Sequence, residues 1–529
     1  MNPIQLTGSK TPAWPDAHPT KPEPVRKAAP SLFRDGNTYS YPSITGLRGG
    51  NPFSRLPLFC MLGICGLLLA GTSRAADDSQ TATTSPAVLP QKPAWLTDLS
   101  LGIKESYEVN VFELGVAPSG PVATPSPGSV AALKNVDSFV TTVSPKVGVN
   151  FAPLLGDQKV LQALTLAYAP DFVTYNNASS ENYDAHRLAA VIKGQTGDWS
   201  FNLNEGFNDI EGNKYGPTYQ NDLLSAFATA ADRERREQFQ ERGTATIQYD
   251  QEKWFVRPTA TLLDYNLKTA QYFYPGYQNY VNRYDVNGGA DFGYKIQPQS
   301  ALTLGFRYGH QYQAEYSFGP TYAAAIPVAA AHSPNDYERV LVGYEGKPWN
   351  WLAASLQIGP DFRSFGPYAP LDDKNKVTYY GEAALTATFS PKDTLAFKYK
   401  QWEWVSSTGL VPYFDSAFDL SYVRKVTDSF SLSLGAKALG ADYNPNNVAS
   451  QTTGLGGYGL GERAQRDDWQ YTASLGLQYA FNANFSANLA YSYDLGVNEQ
   501  SGLTEPGGNA YLPRSFNHEL ISLGVTFKY

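Results

Sequence analysis

The sequence predicts an all-β fold, an antiparallel up-and-down barrel of about 18 strands. Three observations predict it. The chain ends in the middle of an alternating strand, the same alternation recurs along most of its length, and the connections between alternating segments are short and long in turn. A strand has a side-chain period of two residues, so each such segment presents one apolar and one polar face.

The C-terminal segment shows this alternation most clearly. Ile521, Leu523, Val525, Phe527 and Tyr529 share one face, and small or polar residues alternate with them. A strand without a following loop must pair with another strand to satisfy its backbone groups. We therefore expect Phe527 and Tyr529 to belong to the strand that closes the barrel. This segment resembles the terminal strand of bacterial outer-membrane β-barrels, which the barrel assembly machinery reads.

The remaining alternating segments set the predicted strand count. The segments are Leu99–Val111, Phe139–Phe151, Lys159–Tyr175, Tyr183–Lys193, Asp198–Asn208, Gln238–Tyr249, Lys253–Asn266, Tyr280–Ile296, Ser300–Glu315, Tyr337–Gly346, Asn350–Phe365, Lys376–Phe389, Asp393–Val405, Tyr413–Val426, Ser429–Tyr443, Trp469–Phe481, Phe485–Asn498 and Phe516–Tyr529. Three-residue connections such as Gln297–Gln299 alternate with long ones such as Asn444–Asp468. Outer-membrane barrels have short periplasmic turns and long extracellular loops, so a transmembrane barrel is predicted.

Composition supports strands rather than helices as the membrane-crossing elements. The 529 residues have a mean hydropathy of −0.35 and are 14% aromatic. A transmembrane helix needs about 20 consecutive apolar residues, and no run in the sequence reaches that length. The formal net charge of −8 argues against nucleic acid as a partner.

The N-terminal part of the chain is predicted to lie outside the barrel. Residues 1–54 are Pro-rich and read as a disordered extension or a mis-assigned translation start. Residues 55–75 read as a signal peptide, with Arg55 before an apolar run and cleavage after Ala75. Residues 76–97 form a predicted periplasmic linker, and 98–529 form the barrel. Cys60 and Cys65, the only cysteines, fall within the signal.

Tryptophans mark two predicted aromatic girdles. Such girdles flank the apolar band of a membrane barrel at both interfaces. The predicted members are Trp95, Trp199, Trp254, Trp349 and Trp351 near the short turns, and Trp402, Trp404 and Trp469 near the other rim.

Charged strand residues are predicted to face the lumen, because Arg or Lys at the lipid mid-plane costs about 2–4 kcal/mol. The residues that alternate with the apolar face are Lys104, Glu108, Lys146, Arg242, Arg257, Asp285, Asp291, Arg307, Arg339, Glu345, Glu382, Lys398, Asp419, Lys437 and Asp494. Their mixed signs predict either ion pairs around a wet interior or a channel wall with weak ion preference.

A barrel of this size encloses more space than strand side chains fill, so water or an inserted loop must occupy it. Asn221–Gln238 has a short helical pattern, and Tyr322–His332 is apolar. Asn221–Gln238 is read either as a constriction inside the lumen or as a solvated outside loop with a short helix. Tyr322–His332 is read as packing either into the lumen or onto a neighbouring subunit.

Signals for an enzyme are weak. No His cluster has metal-ligand spacing, so no metal, cofactor or catalytic residue is predicted. The glycines between Gly454 and Gly459 match a dinucleotide fingerprint by letter, but no βαβ pattern surrounds them. The predicted linker, residues 76–97, is too short for a plug domain.

The alternating chain as a whole resembles the β-barrel porins of Gram-negative outer membranes, and more narrowly those encoded near exopolysaccharide or capsule genes. Tyr284–Asn287 and Asp336–Arg339 carry the narrower resemblance. It implies outer-membrane location, contact with lipid and lipopolysaccharide, and passive diffusion of small hydrophilic solutes. The alternative is a barrel linked to polysaccharide export, or a structural envelope protein without an open channel. The oligomeric state stays open.

Overall fold

The structure, a computed structural model, describes residues 92–113, 136–156, 160–213, 235–268, 282–314, 333–367, 369, 371, 373–405, 412–443, 465–501 and 515–529. The predicted signal peptide with Ala75, residues 76–91 of the predicted linker, the loop 322–332 and all but the last four residues of 221–238 lie outside the described residues. Within the described ranges, no helix is long and apolar enough to cross a membrane.

Nineteen strands account for most of the described residues. They are β1 (Leu96–Val109), β2 (Ser138–Asn150), β3 (Leu161–Tyr168), β4 (Asp171–Tyr175), β5 (Tyr183–Thr196), β6 (Trp199–Glu211), β7 (Gln238–Asp250), β8 (Trp254–Leu267), β9 (Arg283–Gln297), β10 (Ser300–Gln313), β11 (Asn335–Trp349), β12 (Leu352–Phe365), β13 (Asn375–Ser390), β14 (Asp393–Trp404), β15 (Tyr413–Lys425), β16 (Phe430–Tyr443), β17 (Gln465–Ala480), β18 (Phe485–Ser501) and β19 (Ser515–Lys528). Two short 3₁₀ turns, Ala152–Leu154 and Ser179–Glu181, lie between strands.

The strands form one closed antiparallel sheet. Successive strands pair with each other around the sheet, and β1 pairs with β19 from Ser100–Lys528 to Val109–Glu519. The backbone N–H of Tyr529 donates a hydrogen bond of 2.9 Å to the carbonyl of Leu99. Closure removes both free sheet edges. The predicted all-β barrel is confirmed.

One predicted strand is broken in two. The segment Lys159–Tyr175 is predicted as continuous, but it consists of β3 and β4, and both pair with β2 on one side and β5 on the other. Pro170 lies between them, and proline has no N–H to donate to a sheet. The barrel therefore has 19 strands in 18 positions, an even number that lets an antiparallel sheet close on itself.

The outward face of the strands is apolar and exposed. On β10, Leu302, Leu304, Phe306 and Tyr308 are about half exposed, from 48% to 54%. Their directly opposite partners include Val342 on β11, which is 57% exposed. A soluble protein would bury such a surface, whereas a membrane barrel presents it to lipid.

Candidate functional site: the polar lumen

The inward face is identified by side chains that touch across non-neighbouring strands. Arg257 on β8 lies 2.8 Å from Glu345 on β11, although β9 and β10 separate these strands in the sheet. Side chains on the convex face of a barrel diverge, so such contacts form only through the interior. The alternation along each strand then assigns the other residues to the inward or outward face.

A dense polar cluster, the Asp361 cluster, crosses the lumen towards the long-loop end. The Asp361 carboxylate accepts hydrogen bonds from Arg339 Nε at 3.0 Å and from Arg363 Nη2 at 2.8 Å. Glu403 on β14 pairs with Lys376 on β13 and lies 3.4 Å from Arg363. Asp361, Arg363 and Glu403 are at most 2% exposed, so this part of the interior is filled.

The Asp361 cluster extends to β9 and β10. Asp285 accepts hydrogen bonds of 2.7 Å from Tyr337 and from Gln311, and Gln311 also accepts from Arg363 at 2.9 Å. Every one of these bonds runs between buried partners. Hydrogen bonds to charged groups are the stronger class, so the cluster fixes the relative positions of β9 to β14.

A second polar cluster lies against β1, β4 and β19. Arg235, which precedes β7, donates to Glu108 at 2.8 Å and to the Val111 carbonyl. His518 lies between Glu108 at 3.3 Å and Asp494 at 2.9 Å. Arg235 and Glu108 join elements that are several strands apart, so this cluster also spans the interior.

A third group lies closer to the short turns. Asp291, which is 2% exposed, forms ion pairs with Arg257 at 3.1 Å and with Arg307 at 2.8 Å. Arg257 also forms an ion pair with Glu345. These pairs line one side of the lumen. A cavity of about 390 Å³ borders Arg257, Lys193, Asn202 and Gln248.

Elsewhere the inward face is open to water. Lys398, Lys400, Lys437 and Glu382 lie on the inward face of β13, β14 and β16, and all four are exposed. The outward side chains of the same strands, such as Leu434 at 45%, are exposed as well. Exposure on both faces of one strand means that the wall is one sheet thick with accessible space on its inner side.

The charged residues predicted to line the lumen all occupy the inward face by register. Those in ion pairs are Glu108, Lys146, Arg257, Asp291, Arg307, Arg339, Glu345 and Asp494. Asp285 and Glu382 accept hydrogen bonds from tyrosines. Within the described part of the chain, Lys104, Arg242, Lys398, Asp419 and Lys437 have neither an ion pair nor a hydrogen bond from the side chain.

Six of the eight predicted girdle tryptophans lie at the ends of the barrel wall. Four lie near the short turns, where Trp199, Trp254, Trp349 and Trp351 are exposed and Trp349 stacks on Trp351 at 5.7 Å; half-buried Trp95 precedes β1 at the same end. Trp469 points outward near the opposite end. It stacks on Tyr471 at 5.9 Å and covers Gly440, where a β-carbon would stand 2.7 Å from the indole ring.

The girdle assignment is wrong for Trp402 and Trp404. Trp404 is 3% exposed and lies 4.8 Å from the guanidinium carbon of Arg283, which belongs to β9, five strands away. Trp402 lies on the same face of β14 and packs against the cluster that contains Trp404 and Tyr413. Both rings therefore point into the lumen. Both tryptophans follow Lys398 and Lys400 at intervals of two residues, so the sequence already contained the signal for an inward orientation.

Sequence reasoning missed several residues of the interior. Asp361 and Arg363 alternate with Ile358 and Phe362 in the correct phase, so the two-residue period was sufficient to place them. Arg235 lies outside any strand, and Glu403 has the outward phase of β14 yet is buried among inward groups. No local pattern marks these two.

The outward face also carries carboxylates that were not predicted. Glu205 on β6, Glu241 on β7 and Asp264 on β8 share the outward face, because Glu241 pairs directly with Asp264 and Glu205 with Gly243. Glu205 and Asp264 both act electrostatically on Glu241. No group of three or more potential metal ligands occurs among the residues that the structure describes.

Comparisons with known proteins give matches of low similarity. No known family profile and no curated protein matches the chain. Among solved structures, the outer membrane protein OpdK from Pseudomonas aeruginosa is 9% identical, with 82% of this chain and 99% of that chain covered and a TM-score of 0.36. The siderophore receptor PirA from Acinetobacter baumannii is 8% identical, with 82% and 81% covered and a TM-score of 0.37. The assignment of the fold rests on the strand pairing of the chain itself.

Proposed function

We propose that this chain is a porin-like channel of the Gram-negative outer membrane, through which small hydrophilic solutes diffuse passively. One observation carries the proposal. The same strands are exposed on both faces, with apolar side chains outside and polar or charged side chains inside. Barrels of 16–18 strands leave an aqueous channel when their interior is not filled.

The outward face supports the membrane location. Its apolar side chains match the apolar band of a membrane barrel, and the tryptophans at the ends of the wall match the aromatic girdles that flank this band. In this orientation the short turns lie in the periplasm and the long loops outside, lipid and lipopolysaccharide surround the wall, and the assembly machinery recognises β19. A role as a passive channel in the membrane also implies that the protein is not an enzyme.

The interior clusters would set the permeability. The Asp361 cluster and the Arg235–Glu108 pair narrow the lumen towards the long-loop end, while the exposed lysines of β14 and β16 line the wider part. A solute would pass between charged walls of both signs, which favours hydrated polar molecules over apolar ones.

A second candidate is a barrel without an open channel, linked to exopolysaccharide export or to envelope structure. The buried ion pairs that cross the lumen favour it, because they fill a region that a wide pore would leave to water. Conductance separates the two candidates.

The experiment uses purified protein in planar bilayers, with thiol modification as the orientation test. The chain has no cysteine after Cys65, so Lys437→Cys and Ala436→Cys each introduce a single thiol into the barrel. These adjacent residues on β16 face the lumen and the lipid, respectively. We expect steady open steps, and block by a bulky anionic thiol reagent only for Lys437→Cys.

The outcomes discriminate between the candidates. Correctly folded protein that gives no conductance would support the closed alternative. Steps that respond equally in both variants would contradict the assignment of the faces on which the channel proposal depends. Heat-unfolded protein serves as the control for detergent artefacts.

A further inference from the structure

The cavity of about 390 Å³ at the short-turn end of the lumen lies against the inward face of β5 to β8. Sheet register arranges six polar side chains of this face in two adjacent rows, with Lys193, Asn202 and Thr246 in one row and Gln195, Ser200 and Gln248 nearer the turns. Directly opposite residues of an antiparallel sheet have Cβ atoms about 4.5–5.5 Å apart, so one small solute can reach both rows. The cavity volume lies within the range of about 300–1,000 Å³ that small-molecule sites have.

The lining of this cavity, the amide niche, is rich in side-chain amides. Its amide residues are Gln162, Gln195, Asn202 and Gln248, and Ser200 and Thr246 add hydroxyls. Gln248 donates a hydrogen bond to Asp250 at 3.4 Å, and Thr246 donates one to the Asn202 carbonyl at 3.4 Å. Within the described residues, no hydrogen bond forms at the side chains of Gln162, Gln195, Ser200 and Asn202. Each amide both donates and accepts hydrogen bonds, so most of this capacity is open to a solute.

The charge of Arg257, the guanidinium group of the amide niche, is already matched by carboxylates. Its N–H groups donate to Asp291 at 3.1 and 3.2 Å and to Glu345 at 2.8 and 3.1 Å. Asp291 also pairs with Arg307, so two cations and two carboxylates balance each other. An incoming anion would have to compete with both carboxylates for Arg257, which therefore shapes the wall of the niche without attracting anions strongly.

Lys193 supplies the uncompensated charge of the amide niche. Its side chain is exposed, and it has neither an ion pair nor a hydrogen bond in the described part of the chain. None of the described residues that line the niche is a carboxylate. Asp250, which accepts a hydrogen bond from Gln248, is paired with Lys295 instead. The niche thus combines one free ammonium group with amides and hydroxyls.

We infer that the amide niche binds a hydroxyl-rich solute that carries one anionic group. Sugar hydroxyls both donate and accept hydrogen bonds, as amide side chains do, and the anionic group pairs with the ammonium group of Lys193. Sugar acids and sugar phosphates share this chemistry. The inference rests on the proposed channel function, since the solute reaches the niche through the lumen, and it names the class of solute.

The test is equilibrium binding to the purified protein, measured by calorimetry in a polyoxyethylene detergent, whose headgroup contains no sugar. Gluconate and glucose-6-phosphate carry hydroxyls and an anionic group, glucose carries hydroxyls alone, and acetate and inorganic phosphate are the matching simple anions. We expect at least one of the two anionic sugars to bind about tenfold or more tightly than glucose and than its matching simple anion, since one charge-assisted hydrogen bond supplies a factor of that size. The stronger of the two identifies the anionic group as carboxylate or phosphate.

Variants assign the binding to the amide niche. Lys193→Gln should weaken binding of the anionic sugar about tenfold and leave glucose unchanged, and Lys193→Arg should retain most of the binding. Asn202→Ala should weaken the anionic sugar and glucose alike, by about threefold to tenfold, because it removes neutral hydrogen bonds. The matched controls do not line the niche and should bind as the unaltered protein does. They are Lys104→Gln, at an unpaired lumenal lysine of β1, and Asn204→Ala, at the next inward amide of β6.

Three results would overturn the inference. If glucose binds as tightly as both anionic sugars, the charge has no role, and if the simple anions bind as tightly, the hydroxyls have none. Equal binding of the anionic sugars by Lys193→Gln and Lys104→Gln, once a heat-modifiability gel shows that both variants are folded, would exclude the niche as the site. Because calorimetry requires no current, its outcome is independent of conductance. A barrel that conducts but ignores anionic sugars rejects the niche alone, and a silent barrel that binds them rejects the channel alone.

Discussion

Asp361→Asn is expected to destabilise the barrel by about 3 kcal/mol, the lower end of the cost of breaking a buried ion pair. Asp361 and Arg363 are fully buried, and the Arg339 side chain is 8% exposed. The hydrogen bonds from Arg339 and Arg363 all end on Oδ2, so asparagine can keep that acceptor oxygen, but it removes the negative charge that balances two buried guanidinium groups. Arg363 retains Glu403, Gln311 and Asn335, so the loss falls mainly on Arg339, whose only described ion pair is with Asp361.

The assay is urea unfolding in lipid vesicles, followed by tryptophan fluorescence. Asp419→Asn is the matched control, because Asp419 also faces the lumen but has no ion pair within the described residues, and it should change stability by less than about 0.5 kcal/mol. Adding Arg339→Gln to Asp361→Asn should recover part of the loss, since it removes the unpaired charge. An effect of Asp361→Asn within about 1 kcal/mol of the control would refute the view that this cluster braces the lumen.

Three further predictions test the assignment of the faces. Leu434→Arg should cost about 2–4 kcal/mol in the same unfolding assay, whereas Ser433→Arg, its inward neighbour on β16, should cost less than about 0.5 kcal/mol. Brominated lipid should quench the fluorescence of a variant that retains only Trp349 and leave one that retains only Trp404 unquenched; equal quenching would contradict the interior position of Trp404. Phe527→Ser should lower the yield of folded barrel on a heat-modifiability gel, because Phe527 contacts Phe485 at 5.4 Å and pairs with Leu101.

The two-residue period predicted every strand position because all strands meet the same requirement: apolar side chains on the outward face and polar side chains on the inward face. Where two sequence rules disagreed, the period was the better guide. Trp402 and Trp404 were assigned to the lipid by the tendency of tryptophan to lie at interfaces, although they share the phase of Lys398, which was assigned inward. The structure agrees with the two-residue period, because residues two positions apart on a regular strand point to the same face of the sheet.

Other features depend on contacts that no local pattern contains. Arg235 lies outside the strands, and its partner Glu108 is 127 positions away in the sequence. Only the folded barrel brings the two side chains together. Glu403 reverses its expected face where β14 is no longer paired with β13, and Lys376 and Arg363 then surround it. The break at Pro170 was visible in the sequence, but two collinear short strands and one long strand satisfy the same alternation.

The two faces of this barrel carry different charges. The net charge of the chain is therefore a poor guide to the charge that faces the lumen. Outward carboxylates such as Glu205, Glu241 and Asp264 cost less near lipid than lysine or arginine would, and the cost falls towards the interfaces. Strand cations such as Arg242 and Lys400 instead face the lumen. The formal charge of −8 therefore includes acidic groups that do not face the lumen. An acidic chain can therefore present unpaired cations to its lumen, and a negative net charge does not exclude anionic solutes from the proposed channel.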